Sequence, residues 1–448
     1  MANVITYGTF DFFHEGHLAI IKRARVFCGN GGKLYVGVTS ENYDRERGKL
    51  NVCQSLSARM RQVKECGFVD EVFIEEYEGQ KIEDVQRYRI DVFVIGDDWE
   101  GKYDYLREWC KVVYLPRTKG VSSTIIRNDA NRIIRGGIVG SGRIANRFIK
   151  ESRFVSGVVF DCVFNPNKES AKSFADKYSL QGYYGDFAQM LNVVDVVYIA
   201  TPHTCHAKYI KESLMAGKHV LCEKPLVLDL EIAKQLYSLA ASKGLILQEA
   251  LKTAFAPGFR RLINLVKGGV IGHVRQVNAS FTKLIEDKSL REFDPMLGGG
   301  AISELASYTL CPAIKLLGSA STDWMTVHNI REEADKVETF STGIIKYTSA
   351  TAIFTVGLTA KTEGCLTVAG TKGYVYVPSP WWKLDYFEIR DDFGCAIRRV
   401  YCPFIGDGLR YEIAEFVNAI ASGNRSYAWS PVESISLLGL LIASRTVS

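Results

Sequence analysis

Two motifs of the strand–turn–helix type most constrain the fold of this 448-residue chain. The first spans residues 8–17 and contains Gly-Thr-Phe-Asp followed by His-Glu-Gly-His. The second spans residues 140–145, reads Gly-Ser-Gly-Arg-Ile-Ala, and follows the apolar run 133–139. In open α/β sheets, ligands bind where a strand gives way to a helix. The chain is also longer than one core normally supports, so two or three domains are expected.

The first third of the chain alternates short apolar runs with helical stretches. The runs are bounded by Gly, Asp or Pro and predict buried strands, at residues 4–6, 34–39, 71–74, 91–95 and 112–115. This alternation is typical of an open parallel sheet with crossover helices. A last helix, predicted over residues 122–132, leads into the strand 133–139 without a Pro- or Ser-rich linker.

The same alternation resumes after residue 136 and later gives way to a different pattern. Further strands are predicted at residues 160–164, 194–200, 219–222 and 245–248. After residue 272, long alternating runs indicate a largely antiparallel sheet, at residues 274–281, 343–358 and 373–377. A helix pair is predicted near the end, over residues 409–420 and 432–443. We therefore expect an α/β fold with domains at residues 1–131, 132–254 and 255–448, the last of α+β type.

Bulk properties exclude several classes of partner. The net charge of +5 over this length argues against a nucleic-acid-binding surface. Residues 1–5 lead straight into a strand without a basic head and apolar stretch, and the apolar run 435–443 is too short to span a bilayer. The eleven cysteines include no Cys-x-x-Cys pair, as expected of reduced thiols. We expect a cytoplasmic protein that acts on small molecules, without membrane insertion.

The first motif carries two histidines, His14 and His17, at a predicted helix start, where backbone N–H groups converge on an anion. Gly16 between them lets the backbone approach a phosphate closely. The alternative is a metal-binding or merely structural pair. Two further runs, 96–102 and 117–124, fall at a strand end and at a helix start. All three would meet at the carboxyl edge of the sheet.

In these motifs, residues 3–128 resemble the glycerol-3-phosphate cytidylyltransferase family, which joins CTP to a phosphorylated alcohol and releases pyrophosphate. The resemblance implies a Rossmann-like domain in which His14 and His17 stabilise the charge that builds on the α-phosphate. It implies that CTP, with its Mg²⁺, is bound by Thr9, Phe10, Asp11, Gly16, Lys49, Arg59, Asp97, Trp99, Arg117, Ser122, Ser123 and Thr124, and that the alcohol phosphate is held by Arg47 and Lys81. No metal site within the protein is implied. Residues 50–58 depart from the family pattern, which favours a longer alcohol.

The second motif is placed as dinucleotide binding requires, because it follows a predicted strand and opens a helix. Its glycines admit a pyrophosphate to the helix N-terminus. About twenty residues further on, an acidic residue would bind the adenosine ribose of NAD. Here Asn165 stands at that place, with Lys168 nearby. The sequence therefore favours NADP(H), with NAD(H) as the alternative.

Four later runs make residues 136–445 resemble the glucose–fructose oxidoreductase and inositol dehydrogenase (Gfo/Idh/MocA) family: residues 200–203, 216–225, 298–301 and 370–373. The resemblance implies that Lys224 lies beside the nicotinamide and the substrate carbonyl. Tyr308 would donate the proton, with its pKa lowered by the charge of Lys224. Glu304 stands where many members have Asp. The i, i+4 spacing puts Glu304 on the same helix face as Tyr308. The catalytic role of Glu304 is left open. The alternative for Tyr308 is a packing residue.

The same resemblance implies the residues that contact the cofactor, which are Gly140, Gly142, Arg143, Ile144, Ala145, Asn165, Lys168, Thr201, Pro202, His203, Glu223, Lys224 and Pro225. Lys252 is either a ligand of a substrate phosphate or a solvated surface lysine. Trp381 and Trp382 are expected to pack on a sheet face or a subunit interface. His203 and His206 are expected to shape the cofactor loop rather than bind metal.

Together the two halves predict a bifunctional, homo-oligomeric enzyme. The second half would reduce a sugar phosphate with NADPH, and the first would convert the alditol phosphate with CTP into a CDP-alditol for a surface polysaccharide. Pathway logic favours D-fructose 6-phosphate as the substrate and glucitol 6-phosphate as its product, then ribulose 5-phosphate and ribitol 5-phosphate. Two alternatives stay open. In the first, the reductase acts after cytidylyl transfer or on an unrelated sugar. In the second, the second half of the chain is a catalytically silent nucleotide-binding scaffold.

Overall fold

The structure, a computed structural model, describes residues 2–11, 13, 15–46, 52, 54–77, 79–116, 133–330, 337–422 and 428–445. The chain divides into two compact units. The first comprises Met1–Ile134 and Arg153–Val159, and the second comprises Arg135–Ser152 and Phe160–Ser448. The helix predicted over residues 122–132 lies outside the described residues.

The first unit contains a five-stranded parallel sheet of order β3-β2-β1-β4-β5. Its strands are β1 Val4–Gly8, β2 Leu34–Thr39, β3 Glu71–Glu75, β4 Val92–Gly96 and β5 Lys111–Leu115. The helices are α1 Glu15–Cys28, α2 Glu41–Glu46, α3 Leu56–Glu65 and α4 Gln80–Arg87, with 3₁₀ turns at Asp97–Trp99 and Asp104–Glu108. All five predicted strands are confirmed.

Apolar side chains cover both faces of this sheet. Val4 belongs to one buried cluster, together with Ile21 and Ala24 of α1. Its neighbour Ile5 belongs to the cluster on the other face, together with Val85 of α4. Successive strand residues point to opposite faces, so a continuously apolar strand is buried on both sides. The carboxyl edge of the sheet is therefore where polar groups accumulate.

The second unit begins with a six-stranded sheet of order β11-β10-β9-β6-β7-β8. The strands are β6 Ile134–Val139, β7 Val158–Phe164, β8 Gly182–Tyr184, β9 Val196–Ile199, β10 His219–Glu223 and β11 Leu247–Ala250. The connecting helices are α5 Arg143–Ser152, α6 Lys168–Tyr178, α7 Phe187–Leu191, α8 His206–Met215 and α9 Leu230–Ser242, with a 3₁₀ turn at His203–Cys205. Strands β6, β9, β10 and β11 pair in parallel, as do β7 and β8. The sequence missed β8, which has only three residues.

An eight-stranded sheet follows, of order β13-β14-β15-β12-β16-β17-β18-β19. Its strands are β12 Val274–Thr282, β13 Asp323–Ile330, β14 Phe340–Lys346, β15 Thr351–Gly357, β16 Leu366–Gly370, β17 Gly373–Val377, β18 Tyr386–Arg390 and β19 Ala396–Tyr401. Only β12 and β15 pair in parallel among the described strand pairs of this sheet, so the predicted antiparallel character is confirmed. The alternating run 343–358 forms a hairpin rather than one strand, closed by a bond from Tyr347 N to Ala350 O of 2.9 Å.

The helices of this region are α10 Lys252–Phe255, α11 Pro257–Lys267, α12 Ser307–Leu317, α13 Leu409–Ser422 and α14 Pro431–Arg445. A π-helical stretch, Ile302–Ala306, leads directly into α12 and packs with it against β12 and β15. There are 3₁₀ turns at Arg291–Phe293, Pro295–Leu297 and Trp381–Lys383. The predicted final helix pair is confirmed as α13 and α14. Across the described residues, the structure has no helix with the length and apolar character needed to cross a membrane.

Candidate active sites

In the first unit, two polar residues follow the central strand β1 and are held by neighbouring segments. The Thr9 hydroxyl donates a 2.7 Å hydrogen bond to Asp44 Oδ1 on α2. The backbone N–H of Gln54 donates to Asp11 Oδ1 at 2.9 Å. Both Thr9 and Asp11 are buried. These bonds fix the loop at the carboxyl edge of the sheet.

Arg59 on α3 lies fully buried beneath this loop. Its Nη1 donates to the backbone oxygens of Thr9 and Thr39, at 2.7 and 2.8 Å. The same atom lies 3.5 Å from Asp44 Oδ2. The guanidinium therefore ties the ends of β1 and β2 together. Its assignment to CTP binding stays a prediction, and this geometry makes it a residue that positions the loop.

Lys81 on α4 is also buried and forms an ion pair with Glu75 at the end of β3. Its Nζ lies 4.6 Å from the centroid of the Tyr7 ring. The other oxygen of Glu75 accepts a 2.8 Å hydrogen bond from the Thr39 hydroxyl. A cation is thus placed among the ends of three adjacent strands. Its proposed contact with the alcohol phosphate stays a prediction.

Aromatic residues surround the remaining predicted groups of this edge. The His17 ring, one residue beyond Gly16, lies edge-on to Phe10 with 5.2 Å between centroids. Asp97 and Trp99 form the 3₁₀ turn after β4, and Lys102 Nζ lies 4.7 Å from the Trp99 ring centroid. Seven predicted site residues lie outside the described residues, so their roles stay predictions: His14, Arg47, Lys49, Arg117, Ser122, Ser123 and Thr124.

In the second unit, the turn between β6 and α5 has the backbone that a dinucleotide requires. Gly140 has a φ of +101°, and a Cβ there would lie 2.6 Å from Ala200 O. A Cβ on Gly142 would meet nothing within 4 Å. The turn therefore needs glycine at the first position and has open space at the second, beside the N-terminus of α5. Arg143 and Ile144 begin α5, and Ala145 is fully buried. The residues present fit a dinucleotide pyrophosphate.

The end of β7 presents an amide where an NAD-binding acidic residue would stand. Asn165 Nδ2 donates to Ser141 Oγ at 2.8 Å, and Asn165 Oδ1 accepts from the backbone N–H of Asn167 at 2.9 Å. Lys168 begins α6 and is exposed. The neutral amide of Asn165 accepts a 2′-phosphate without the repulsion that a carboxylate would exert.

The predicted catalytic residues of this unit come together. Lys224, directly after β10, donates from Nζ to the backbone oxygen of Glu304 at 2.7 Å. The same Nζ lies 5.5 Å from the centroid of the Tyr308 ring. Lys224 is 7% exposed. One buried ammonium therefore contacts both residues of the predicted pair.

The environment of the Tyr308 phenol corrects one expectation. Burial raises the pKa of Tyr308, and the charges of Glu223, Glu412 and Glu304 add to the increase. The pKa of Tyr308 is therefore raised on balance, whereas the sequence led us to expect a pKa lowered by Lys224. Tyr308 therefore stays protonated, as a proton donor must.

Glu304 lies in the π-helical stretch rather than in the α-helix assumed from its spacing. Its Oε1 lies 3.0 Å from Arg291 Nη1, and Arg291 Nη2 donates to Oε2 at 3.1 Å. His203 Nε2 lies 3.8 Å from Oε1. Burial, followed by the charge of Lys224, lowers the pKa of His203 to about 2, so this ring is neutral. The carboxylate is thus engaged by Arg291, and a catalytic role for it stays a prediction.

His206 connects the two cofactor loops, as expected of a residue that shapes them. Its Nε2 lies 3.1 Å from Thr201 O, beside Pro202, and its Nδ1 lies 3.0 Å from Pro225 O. Glu223, which precedes Lys224, accepts a 2.6 Å hydrogen bond from the Tyr198 hydroxyl. In the described part of the chain, no group of three or more His, Cys, Asp or Glu side chains is placed to hold a metal ion.

Sequence reasoning missed an aromatic stack beside Tyr308. The rings of Phe281 and Trp382 lie 3.6 Å apart and nearly parallel, at 8°. Phe281 also lies 5.3 Å from the Tyr308 ring. Trp381 is fully buried and donates from Nε1 to Ser280 O at 2.9 Å, so packing on the sheet is confirmed for this residue. No spacing in the sequence signals the stack, because its members come from distant segments.

Sequence reasoning also missed Lys283, Glu292 and Glu412 as charged residues of this region. Lys283 follows β12, and partial desolvation of its ammonium by nearby protein atoms, then the charge of Lys224, lowers its pKa to about 8. Arg143 Nη2 donates to Glu292 Oε1 at 2.5 Å. Glu412 is fully buried, neither of its carboxyl oxygens has a hydrogen-bond partner among the described residues, and burial raises its pKa.

Lys252 is not a solvated surface lysine. Its Nζ donates to the backbone oxygen of Asp407 at 2.7 Å, and burial lowers its pKa. The alternative that it holds a substrate phosphate is weakened, because the protein itself already supplies an oxygen to the ammonium.

The class of protein is thus one with a nucleotide-binding site at the carboxyl edge of the parallel sheet in each unit. In the second unit, this site also contains a lysine–tyrosine pair suited to carbonyl chemistry. Residues 5–129 match the family model described as cytidylyltransferase-like. Residues 134–251 match the oxidoreductase family with an NAD-binding Rossmann fold, and residues 259–376 match the GFO/IDH/MocA C-terminal domain. The chain belongs to the cytidylyltransferase-like family in its first part and to the GFO/IDH/MocA oxidoreductases in its second. It is an enzyme that combines a cytidylyltransferase and an oxidoreductase, as both resemblances indicated.

Individual relatives support the same division. Glycerol-3-phosphate cytidylyltransferase of Bacillus spizizenii is 44% identical over 129 residues, which cover 29% of this chain and 97% of that protein. The scyllo-inositol 2-dehydrogenase (NADP(+)) IolU of Bacillus subtilis is 26% identical, covering 64% of this chain and 88% of that protein. A crystal structure of KijD10, a 3-ketoreductase from Actinomadura kijaniata in complex with NADP and TDP-benzene, matches with a TM-score of 0.63 and 25% identity. That match covers 70% of this chain and 97% of KijD10.

Proposed function

We propose that the chain reduces a sugar phosphate to an alditol phosphate and then joins that product to CMP from CTP. D-fructose 6-phosphate, giving glucitol 6-phosphate, is the first candidate, and ribulose 5-phosphate is the second. The observation that carries this proposal is the presence of both enzyme parts on one chain. A carbonyl reductase produces an alcohol, and a transferase like that of Bacillus spizizenii consumes a phosphorylated alcohol.

The reduction follows from the contacts of the lysine–tyrosine pair. The nicotinamide cofactor, when bound, supplies the hydride for the carbonyl carbon. The carbonyl oxygen receives its proton from the Tyr308 phenol, which the buried site keeps protonated. The ammonium of Lys224, held by Glu304 O, stabilises the negative charge that builds on that oxygen. Tyr308 then regains a proton from solvent.

In the transfer step, a phosphate oxygen of the alditol phosphate attacks the α-phosphorus of CTP. The bond from this phosphorus to the β-phosphate oxygen breaks, and pyrophosphate leaves with the electron pair. His14 and His17 would stabilise the charge on the α-phosphate, and Mg²⁺ would arrive with CTP. The product is a CDP-alditol.

We propose NADP(H) as the cofactor, with NAD(H) as the alternative. The amide of Asn165 and the neighbouring Lys168 support this choice. The names of IolU and of the KijD10 complex both include NADP. We further propose a cytoplasmic homo-oligomer that supplies a surface polysaccharide, with domains at residues 1–131, 132–254 and 255–448.

A second order of events has one observation in its favour. KijD10 was crystallised with TDP-benzene, a molecule that carries a nucleoside diphosphate. By analogy, the reductase of this chain would act on a CDP-linked sugar, after cytidylyl transfer. In that case CTP would be needed before any NADPH is consumed.

The test measures NADPH oxidation and pyrophosphate release for a panel of phosphorylated ketoses and aldoses, with and without CTP and Mg²⁺. The first order predicts a sugar phosphate that oxidises NADPH without CTP and releases pyrophosphate when CTP is added. NADPH oxidation only in the presence of CTP would establish the second order. Pyrophosphate release from alditol phosphates, without NADPH loss on any sugar phosphate, would contradict both.

A further inference from the structure

Two lysine ammonium groups flank the aromatic stack beside Tyr308. Lys283 Nζ lies 5.7 Å from the centroid of the Phe281 ring. Lys361 Nζ lies 5.8 Å from the centroid of the Trp382 ring and donates to Thr282 O at 3.2 Å. Phe281 also lies 5.3 Å from the Tyr308 ring, so both cations border an aromatic stack that adjoins Tyr308.

The positive charge of these two lysines is not neutralised locally. Within the described part of the chain, no carboxylate oxygen lies within ion-pair distance of either Nζ. The carboxylates that act on Lys283 are Glu304 and Glu292, and each already pairs with an arginine, Arg291 or Arg143. Both lysines are exposed, so solvent rather than a protein carboxylate surrounds their charges. An anionic ligand can therefore approach both ammonium groups without breaking an ion pair within the protein.

We propose that Lys283 and Lys361 bind the phosphate group of the reductase substrate and so make the reductase specific for phosphorylated sugars. This inference rests on the proposed function. With the substrate carbonyl at Tyr308, the carbon chain extends along Phe281 and its phosphate reaches the two ammonium groups. The lysines are specificity-determining residues and take no part in proton or hydride transfer.

A second basic cluster in this unit is a weaker candidate. Arg147 Nε and Lys383 Nζ lie 3.7 and 3.9 Å from the two carboxylate oxygens of Asp407. Lys252 Nζ donates to the backbone oxygen of the same residue. Asp407 thus neutralises much of this cluster. A phosphate would have to displace existing contacts there, whereas at Lys283 and Lys361 it would add the missing charge.

The experiment compares kcat/KM for a sugar phosphate with kcat/KM for the same sugar without its phosphate. Lys283→Met, Lys361→Met and the double variant remove the charge while keeping side-chain length. Each single variant should reduce the preference for the phosphorylated sugar about tenfold or more, chiefly through KM, because a hydrogen bond to a charged group is lost. Lys283→Arg should retain most of the preference. Lys346→Met, at an exposed lysine on β14, is the matched control.

The outcomes separate this inference from the proposed function. If the wild-type enzyme does not prefer the phosphorylated sugar, the proposed function itself fails. If the wild type does prefer it and the double variant keeps the same preference with unchanged KM, the assignment of these lysines is wrong. If Lys252→Met instead removes the preference, the phosphate site is the cluster around Asp407, and the inference is overturned.

Discussion

The ammonium of Lys224 donates a 2.7 Å hydrogen bond to the backbone carbonyl oxygen of Glu304. This bond joins the end of β10 to the π-helical stretch that leads to Tyr308. Because the acceptor is a main-chain atom, the side chain at position 304 does not fix where Lys224 points. A glutamate in place of the family's usual aspartate is therefore compatible with a correctly placed lysine.

Replacing the proton donor should separate chemistry from packing. Tyr308→Phe keeps the ring beside Phe281 but removes the phenol, so kcat of the reductase should fall by about 10² to 10⁴. The pKa of Tyr308 is raised, so wild-type kcat should not decline through ionisation of this phenol as the pH approaches 10. Steady-state kinetics over a range of pH would test both points. A variant with unchanged kcat would show that another group delivers the proton.

Two neighbouring glycines should respond differently to alanine. Gly140→Ala would place a Cβ 2.6 Å from Ala200 O at a φ of +101°, so both folding of the turn and NADPH binding should suffer. Gly142→Ala meets no protein atom within 4 Å, so the protein should keep its stability. Its methyl group would nevertheless enter the space for the pyrophosphate, and NADPH affinity should fall. Thermal unfolding and NADPH fluorescence titration distinguish the two effects. Equal affinities for the wild type and Gly142→Ala would count against a cofactor at this turn.

The buried arginine of the first unit should be needed for stability. Arg59→Met leaves Asp44 and the oxygens of Thr9 and Thr39 without the guanidinium, which should cost roughly 3 kcal/mol of unfolding free energy. The exposed Arg61 on the same helix provides the control, because Arg61→Met should change stability by no more than about 0.5 kcal/mol. Denaturant unfolding gives the free energies, and pyrophosphate release reports on the loop. Equal losses in both variants would refute the positioning role.

The buried carboxyl group of Glu412 should make stability depend on pH. Burial raises its pKa in the folded state, so the folded protein keeps this proton at pH values where the unfolded chain has already lost it. Stability is then present below the ordinary pKa and is lost as the pH rises towards the folded value. Glu412→Gln does not titrate, so its stability relative to the wild type should increase as the pH rises above the ordinary pKa of glutamate. Glu415→Gln, on the same helix and paired with Arg260, should show no such trend. A constant difference for Glu412→Gln would mean that the carboxyl group is ionised in the fold.

Much of the fold could be predicted from local pattern. The strands of both parallel sheets are short apolar runs bounded by turn residues, and Gly140, Lys224 and Tyr308 lie in motifs of fixed spacing. Strand β8 escaped notice because three residues give no periodicity. The π-helical stretch was missed because the sequence contains no signal that separates it from an α-helix.

The remaining features of the site depend on tertiary contacts. Lys283, Lys361 and Trp382 come from separate segments that follow β12, β15 and β17, so only the folded chain brings them to Phe281, which contacts Tyr308. For the same reason, the sequence could not predict that the pKa of Tyr308 is raised rather than lowered. It depends on burial and on carboxyl groups contributed by β10, the π-helical stretch and α13.

The division of one polypeptide into two catalytic units has a kinetic consequence. Translation produces both catalysts in a fixed one-to-one stoichiometry, whatever the expression level. A change in gene dosage therefore raises or lowers supply and demand for the intermediate together. If the chain acts as proposed, the steady-state concentration of the alditol phosphate then depends on the ratio of the two turnover rates rather than on the amount of enzyme.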